Sequence, residues 1–534
     1  MAEKVTITFN GKKLKVDPGE MVLTAVEKHG YEIPHYCFHE ALSVAGSCRL
    51  CAVEVGYPDK EGNVKMMSPL VMSCQTPVRE GMVVVSDSEK VTQHRKAVME
   101  FLLINHPLDC PVCDQAGECY LQDYSFRYGR PVSRFDNDDK FVPPKKQVGE
   151  NIMLYATRCI LCTRCVRFTR EISGGAELAV VNRGSHSEID VFPGKPLNDK
   201  LSGNVVDICP VGSLLDNQFL FKQRAWFLDA TDSICPRCSR GCNISIHHNK
   251  GVIWRIKPRK NIMVNGHWIC NDGRYGFKFV HADQRLTTSQ VRRNGKMVDL
   301  DGEETAQQAQ HLLAPYLKGE FPGNVAVVLS PAATCEEQFL LAQWARNASD
   351  QVQLVSGPVF SEKEDQTFKG GFTISAEKVP NRRGVKKMLD HFGEPALTFP
   401  ELLKAIEKDQ IGAVWLQGGY PWLNWCPAEN LGILRKAPVL IVQDILSGAL
   451  TEKADLIIAG AAFAEKNGCF INDQEFCQSF DKAIEPPGDA LDDIRFLWRF
   501  VGRDETFEWR KLQQEMTKTL GLNQETNNKE TISS

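Results

Sequence analysis

Long hydrophobic runs are missing from this sequence. The longest candidates, at residues 437–442 and 456–464, fall well short of the roughly 18 consecutive apolar residues that a membrane-spanning helix needs. The amino terminus has neither the apolar core of a signal peptide nor an Arg- and Ser-rich transit pattern. We therefore expect a soluble cytosolic chain, a property compatible with docking on a membrane complex.

A dominant charge and a nucleotide fingerprint are absent as well. The 63 Lys and Arg residues and the 67 Asp and Glu residues give a formal net charge of -4, so no nucleic-acid role is indicated. No G-x-G-x-x-G segment lies between a predicted strand and a predicted helix, so flavin or nicotinamide binding is not indicated either. The length of 534 residues, with ordinary globular composition, suggests roughly three or four domains.

Cysteine, by contrast, is abundant. The sequence has 19 cysteines, of which 15 precede residue 271 and fall into four groups. In a reducing cytosol, closely spaced cysteines favour metal ligation over disulfides. The other four have no local ligand motif, and we predict that they are small buried apolar side chains: Cys335, Cys426, Cys469 and Cys477.

The first group has the spacing C-x10-C-x2-C-x22-C and consists of Cys37, Cys48, Cys51 and Cys74. Alternating apolar and polar residues on both sides of Asn10-Gly11 predict a β-hairpin, and residues 21–30 predict a short helix that ends at Gly30. A hairpin, a helix and a Cys-bearing loop favour a β-grasp domain with a two-iron cluster, although the loop is longer than in plant-type ferredoxins. A structural zinc site is the alternative.

The second group has the spacing H-x3-C-x2-C-x5-C and consists of His106, Cys110, Cys113 and Cys119. Residues 90–105 predict a helix that ends near His106. Three cysteines leave a four-iron cluster one ligand short, and we predict that His106 supplies it. Because imidazole is neutral and thiolate is anionic, this ligand changes the cluster charge and its reduction potential. The alternative is a hydrogen-bonded histidine in the core.

The third group has the spacing C-x2-C-x2-C-x43-C and consists of Cys159, Cys162, Cys165 and Cys209. Three close cysteines and a remote one followed by Pro210 are typical of bacterial four-iron ferredoxins. Those ferredoxins exchange the fourth cysteine between two clusters. This sequence has no second C-x2-C-x2-C run, so Cys209 most simply completes the same cluster.

The fourth group has the spacing C-x2-C-x3-C-x27-C and consists of Cys235, Cys238, Cys242 and Cys270. Alternating residues around 249–251 predict a hairpin beside it. A four-iron cluster and a zinc ribbon are both compatible with this spacing. Several clusters within about half of the chain indicate a series of electron-transfer steps rather than one local redox site.

The carboxyl-terminal half has a different pattern. Short apolar runs at residues 324–331, 413–419 and 437–444 alternate with apolar helical stretches. This alternation predicts an α/β domain with a parallel sheet.

The order of the groups and the histidine ligand resemble the large (75 kDa-type) iron–sulfur subunit of bacterial NADH–quinone oxidoreductase, respiratory complex I, over residues 1 to about 280. The resemblance implies the ligand roles given above for the first three groups. The fourth group is similar to an additional cluster found in some family members and in molybdopterin oxidoreductases. Residues 454–473 resemble the molybdopterin-oxidoreductase fold, shortened here and expected to hold no molybdopterin.

The implied fold is multidomain, α+β and α/β. We expect a β-grasp ferredoxin-type two-iron domain, a His/Cys3 four-iron segment, a ferredoxin-like four-iron domain, a further four-iron domain of the molybdopterin-enzyme type, a degenerate molybdopterin-oxidoreductase-like α/β domain and a disordered tail. Their expected limits are residues 1–82, 83–145, 146–227, 228–284, 285–522 and 523–534.

The resemblance also implies a function. The chain would relay electrons from an NADH-oxidising flavoprotein subunit, through one two-iron and three four-iron clusters, to a small ferredoxin-like subunit and onward to quinone. The whole complex would couple this transfer to proton translocation on the cytoplasmic side of the bacterial inner membrane. No catalytic residue, flavin, NADH site or quinone site is expected on this chain. The alternatives are the electron-wiring subunit of an NAD-linked hydrogenase or formate dehydrogenase, and a zinc-bound scaffold without redox activity.

Overall fold

The computed structural model describes residues 3–134, 142–393, 396–503 and 506–522. Two compact units make up this part of the chain. The first extends to Leu228 and includes Phe368–Gly371, and the second contains Asp229–Thr367 and the chain from Phe372 onward. The predicted disordered tail at 523–534 lies outside the described residues.

The first unit begins with a mixed sheet that wraps one helix. The strand order is β2-β1-β6-β3-β4, with β5 paired to β3, and β1 runs parallel to β6. The predicted hairpin turn forms at Asn10 and Gly11, whose φ angles are 44° and 82°. The elements are β1 (Val5–Phe9), β2 (Lys12–Val16), α1 (Val22–Glu27), β3 (Ala52–Pro58), β4 (Val64–Met66), β5 (Val71–Met72) and β6 (Val83–Val85).

The rest of the first unit consists of short elements joined by long loops. Ser88 caps the first helix by accepting a hydrogen bond from the Val91 backbone N–H, and that helix ends just before His106, as the sequence predicts. The elements are α2 (Glu89–Leu103), α3 (Tyr120–Tyr128), β7 (Lys146–Gln147), β8 (Ile152–Leu154), α4 (Arg164–Phe168), β9 (Leu178–Val181), β10 (Glu188–Val191), α5 (Asn204–Ile208) and β11 (Leu214–Asp216).

The second unit starts with a three-stranded antiparallel sheet. Its second hairpin turns at Lys250 and Gly251, both with positive φ, where the sequence predicts a hairpin. The elements are β12 (Asp229–Ile234), β13 (Asn243–Asn249), β14 (Val252–Pro258) and α6 (Asn271–Tyr275).

An eight-stranded sheet forms the centre of the second unit, in the order β16-β15-β24-β23-β22-β17-β18-β21. The six strands from β24 to β21 are parallel, and β15 and β16 add an antiparallel hairpin at one edge. The strands are β15 (Ser289–Arg293), β16 (Lys296–Leu300), β17 (Asn324–Leu329), β18 (Gln353–Ser356), β21 (Leu397–Thr398), β22 (Ile411–Gln417), β23 (Val439–Asp444) and β24 (Leu456–Ala459).

Apolar cores cover both faces of this sheet. All residues of β22 are buried, as expected for a parallel strand with helices on both sides. The remaining elements are α7 (Gly302–Leu317), α8 (Cys335–Ala348), β19 (Gln366–Thr367), β20 (Thr373–Ile374), α9 (Arg382–Phe392), α10 (Phe399–Glu407), α11 (Ala428–Leu434), β25 (Gly468–Ile471), β26 (Cys477–Phe480), α12 (Asp493–Phe500) and α13 (Trp509–Leu520). Among the described residues, no helix is both long enough and apolar enough to cross a membrane.

A buried ion network lies at the carboxyl ends of the parallel strands. The Lys466 ammonium is 2.7 Å from a Glu337 carboxylate oxygen and 3.0 Å from an Asp493 carboxylate oxygen. Gln443 donates a further hydrogen bond to Asp493 at 2.7 Å. Burial raises the pKa of Glu337 to about 7, and the nearby Lys466 charge opposes that shift. The lysine therefore opposes the neutralisation of Glu337 that burial favours, and it binds both carboxyl groups inside the domain.

Replacing Lys466 with Met should destabilise the second unit strongly. The change leaves two buried carboxylates without their cation, which we expect to lower the free energy of unfolding by about 3–5 kcal/mol. Tryptophan fluorescence during denaturant unfolding reports on this unit, because every tryptophan except Trp226 lies in it.

The matched control is Lys482→Met, which removes a lysine paired with the exposed Glu485. We expect this control to cost only about 0–1 kcal/mol. Equal losses in the two variants would show that the buried network contributes no special stability.

Candidate iron–sulfur sites

The first cysteine group forms two thiol pairs in the β-grasp part of the first unit. The Cys51 and Cys74 sulfurs are 3.4 Å apart, and the thiols of Cys37 and Cys48 hydrogen-bond each other. The hydrogen bond with Cys48 lowers the pKa of Cys37 to about 5, and the hydrogen bond with Cys74 lowers the pKa of Cys51 to about 7. Two pairs of sulfur ligands suit a two-iron cluster, in which each iron takes two thiolates.

The second group surrounds one cavity of about 430 Å³ in the first unit. Burial raises the pKa of Cys119 to about 11, whereas Cys110 is exposed. The cavity is therefore open to the surface on the Cys110 side and closed on the Cys119 side. Its lining includes all four predicted ligands: His106, Cys110, Cys113 and Cys119.

The third group surrounds a second cavity, of about 350 Å³, with a mostly apolar lining. Cys209 follows the end of α5, which returns this remote residue to the other three. Burial raises the pKa of Cys159 to about 12 and that of Cys162 to about 11, so both thiols stay protonated near neutral pH without a metal. The four predicted ligands all line this cavity: Cys159, Cys162, Cys165 and Cys209.

The loop between these cysteines has an unusual backbone. Leu161 and Thr163 have φ angles of 51° and 59°, in the left-handed region that residues with a side chain rarely adopt. The Leu161 N–H donates to the Cys159 sulfur at 3.4 Å. Turns of this kind direct N–H groups toward a bound anion, so the strained loop suits a negatively charged cluster.

The fourth group lies in the second unit, and all four of its cysteines are buried. Cys270 caps α6, where its sulfur accepts a hydrogen bond from the Gly273 N–H at 3.4 Å. A Cβ atom on Gly273 would lie 3.0 Å from the Cys235 sulfur. Gly273 therefore lies against both Cys235 and Cys270, at a position that has no room for a side chain.

Single-ion geometry is absent from the part of the chain that the structure describes. No three or more His, Cys, Asp or Glu side chains there are arranged to hold one metal ion. An iron–sulfur cluster places sulfide and several irons between its thiolates and so holds them further apart than one zinc ion does.

The second and third sites touch each other through residues 210–212. A Cβ atom on Gly212 would lie only 2.1 Å from the Cys113 sulfur, and the Cys119 thiol lies 3.9 Å from the Pro210 carbonyl oxygen. Arg158 lines the second cavity and binds the Asp109 carboxylate at 2.8 Å. Sequence reasoning did not single out Gly212 or Arg158, although each lies within three residues of a predicted ligand.

The four late cysteines are buried, as the sequence predicts, but three of them also meet in the second unit. The Cys477 thiol lies 3.3 Å from the Cys469 sulfur, and Cys335 hydrogen-bonds Cys469. Cys426 lies apart from them, in the apolar core on the other side of the central sheet. The three clustered cysteines share no sequence motif. They meet only through the packing of a helix against strands.

The carboxyl ends of the parallel strands enclose a cavity of about 230 Å³. Its charged lining consists of three carboxylates and one ammonium: Glu337, Asp444, Asp493 and Lys466. Asp444 accepts hydrogen bonds from the Gly419 N–H and the Trp425 indole N–H, both at 2.9 Å. Burial raises the pKa of Asp444, as it does that of Glu337, so the buried setting disfavours the charged form of these acidic groups.

Family models match most of the chain in the order that the motifs predict. They are a 2Fe-2S iron-sulfur cluster binding domain at 2–89, the NADH-ubiquinone oxidoreductase-G iron-sulfur binding region at 95–134, the ferredoxin-like domain of NADH-quinone oxidoreductase subunit 3 at 149–215, the molybdopterin oxidoreductase Fe4S4 domain at 228–282 and molybdopterin oxidoreductase at 300–500. Together with the mixed and parallel sheets, these matches confirm the predicted fold class.

Curated relatives carry names from the same family. The G-type subunit of NADH-quinone oxidoreductase from Rickettsia felis is 37% identical over 371 residues, which cover 70% of this chain and 53% of that protein. The mitochondrial NADH-ubiquinone oxidoreductase 78 kDa subunit of Candida albicans is 32% identical over 478 residues, which cover 86% of this chain and 63% of that protein. The chain thus spans about half the length of the bacterial relatives that it matches.

Among solved structures, a chain of an NAD+-reducing [NiFe]-hydrogenase in the H2-reduced state is 30% identical and covers 42% of this chain and 91% of its own length. Its TM-score of 0.36 is too low to support an argument about fold or function. The family prediction rests instead on the cysteine and histidine motifs, the domain matches and the curated relatives, and these agree: the chain belongs to the family of G-type iron–sulfur subunits of NADH-quinone oxidoreductase.

Proposed function

We propose that this chain is the iron–sulfur electron-relay subunit of an NADH–quinone oxidoreductase. The observation that carries the proposal is the convergence of two four-ligand groups on two adjoining cavities, with two thiol pairs elsewhere in the same unit. Electrons would arrive from an NADH-oxidising flavoprotein subunit and leave to a small ferredoxin-like subunit. The complex would lie on the cytoplasmic side of a bacterial inner membrane and couple the transfer to proton translocation.

The ligand assignments follow the four groups. Each cluster, when bound, accepts and releases one electron at a time. The Cys37, Cys48, Cys51 and Cys74 thiolates would hold a two-iron cluster. Four-iron clusters would be held by His106, Cys110, Cys113 and Cys119, by Cys159, Cys162, Cys165 and Cys209, and by Cys235, Cys238, Cys242 and Cys270.

The chain itself supplies burial, hydrogen bonds and charge around these ligands. Burial keeps the Cys159 and Cys162 thiols protonated, so assembly of a cluster at the third site must release their protons. The Leu161 N–H stabilises the thiolate of Cys159 once the proton has left. The two adjoining cavities support direct transfer from the Cys159 cluster to the His106 cluster, and the exposed side at Cys110 supports exit to a partner.

We propose that the α/β part of the second unit is a scaffold without molybdopterin. The cavity at its strand ends carries three carboxylates against one lysine. A molybdopterin cofactor is anionic through its phosphate groups, and this lining offers it a single cation among three acidic side chains. The Lys466 ammonium already forms ion pairs with Glu337 and Asp493 in this region, which supports a structural role.

Purification of the intact complex under anaerobic conditions tests the cluster assignment. After the iron held by the partner subunits is subtracted, we expect about 14 iron atoms for each copy of this chain and little zinc, since the four sites would hold one two-iron and three four-iron clusters. About 10 iron atoms with one zinc would show that the Cys235 group holds zinc. The co-purifying subunits distinguish a quinone reductase from a hydrogenase or formate dehydrogenase.

Cys162→Ala should interrupt the relay at the third site. The variant removes one sulfur ligand from a buried cavity, so we expect loss of that cluster's EPR signal and of quinone reduction. NADH oxidation with an artificial acceptor should persist, because the flavoprotein partner carries it out. Cys426→Ala, which changes a buried cysteine of the sheet core, is the matched control and should retain all signals. Normal quinone reduction without the signal would contradict the proposed route.

His106 variants test whether the histidine is a ligand. Since thiolate can replace imidazole, His106→Cys should retain a four-iron cluster with a lower reduction potential, because the added negative charge favours the oxidised state. His106→Ala should lose iron. A histidine that only fills the core would give the opposite pattern, with an unchanged potential in the alanine variant and a loss of stability alone.

Gly212→Ala tests the contact between the second and third sites. The added methyl group would meet the Cys113 sulfur, which must move, so we expect an altered EPR signal and lower occupancy of the His106 cluster. Gly432→Ala is the matched control, since no atom lies within 4 Å of a Cβ atom there. A variant at Gly212 with a normal signal would show that Cys113 does not bind the cluster.

A further inference from the structure

Two buried arginines on α4 lie between the predicted ligands of the first and third sites. Arg164 and Arg167 are only 7% and 9% exposed, which is rare for a side chain that is always charged. The helix that carries them also carries the predicted ligand Cys165.

Arg167 binds backbone carbonyl groups from both sites. Its guanidinium donates to the Cys37 carbonyl oxygen at 2.5 Å and to the Cys162 carbonyl oxygen at 3.3 Å. It also donates to the carbonyl of Ser43, in the loop that follows Cys37. One side chain therefore connects the peptide groups of two predicted ligands from different clusters.

Arg164 makes a parallel connection. Its guanidinium donates to the carbonyl of Phe38, the residue after Cys37, and to the Ile208 carbonyl oxygen at 3.3 Å, one residue before Cys209. It also lines the cavity of the third site. Glu171, one turn further along, accepts a hydrogen bond from the Ser43 N–H at 2.8 Å and so holds the same loop against the helix.

Neither guanidinium forms an ion pair within the described ranges of the chain. Both donate to backbone carbonyl oxygens instead, and Arg167 donates to the Thr163 hydroxyl as well. A buried cation without an anion is unfavourable. Thiolate-ligated clusters are anionic and gain one negative charge on reduction. Arg164 and Arg167 lie where their positive charge would balance this negative charge at the first and third sites.

We propose that Arg164 and Arg167 are positioning residues shared by the two-iron cluster and the Cys159 four-iron cluster. The two arginines hold these clusters at a fixed separation. Their positive charge also stabilises the reduced state of each cluster. This inference rests on the proposed function, because it assumes that both groups hold clusters. It makes the pair of guanidinium groups the connection across which the electron passes from the first site to the third.

Potentiometric titration of the intact complex, followed by EPR, tests the proposal. In Arg167→Gln, the midpoint potentials of both clusters should fall, because the shared cation is lost and the reduced states are less stable. Arg167→Lys retains the charge and should restore both potentials toward the wild-type values. Arg164→Gln should lower the same two potentials and leaves Arg167 to hold the loop.

Arg292→Gln is the matched control, since Arg292 also donates to two backbone carbonyls but lies in the second unit. It should leave both potentials unchanged. A shift of only one cluster, no shift in either, or loss of both signals in all three α4 variants would overturn the proposal. Absence of the two signals in the wild-type complex would instead contradict the proposed function.

Discussion

The stabilisation of buried anionic sulfur is the constraint on which the first unit depends. Burial raises the pKa of Cys159 to about 12, so the fold alone disfavours the thiolate that a cluster needs. Metal, backbone N–H groups and cations must supply the difference. Leu161 and Thr163 have a left-handed backbone conformation that is strained for residues with a side chain. This conformation directs N–H groups toward the sulfurs, which explains why the loop adopts it.

The α/β part of the second unit meets a similar constraint with its own side chains. Three acidic side chains lie at the carboxyl ends of its parallel strands. In sheets of this kind, that edge is where a ligand or cofactor usually binds. Lys466 and neighbouring side chains pair with Glu337 and Asp493, so the charges are satisfied within the protein. Internal pairing makes this edge part of the core. On the proposed scaffold role, the same parallel architecture that binds cofactors in other proteins serves here as a rigid support.

Much of this architecture could be predicted from sequence, because its signals are local. The Asn10-Gly11 turn, the helix before His106 and the three buried strands at 324–331, 413–419 and 437–444 each follow from short-range patterns. Cysteine spacing likewise indicates which thiols share a group. Nothing in the sequence revealed the cluster of late cysteines, because Cys335 and Cys469 meet only through the packing of α8 against β25.

Contacts between sites were also beyond sequence reasoning, since spacing within one group says nothing about its neighbours. The structure places these contacts on residues adjacent to the predicted ligands. Tyr36, beside Cys37, donates its hydroxyl to the carbonyl of Tyr120, beside Cys119. Arg158 precedes Cys159, and Pro210 follows Cys209. Because a ligand's neighbour lies at the outer edge of its site, it is the residue best placed to touch the next one. In the proposed relay, contact between neighbouring sites is therefore made by the residues that flank the ligands.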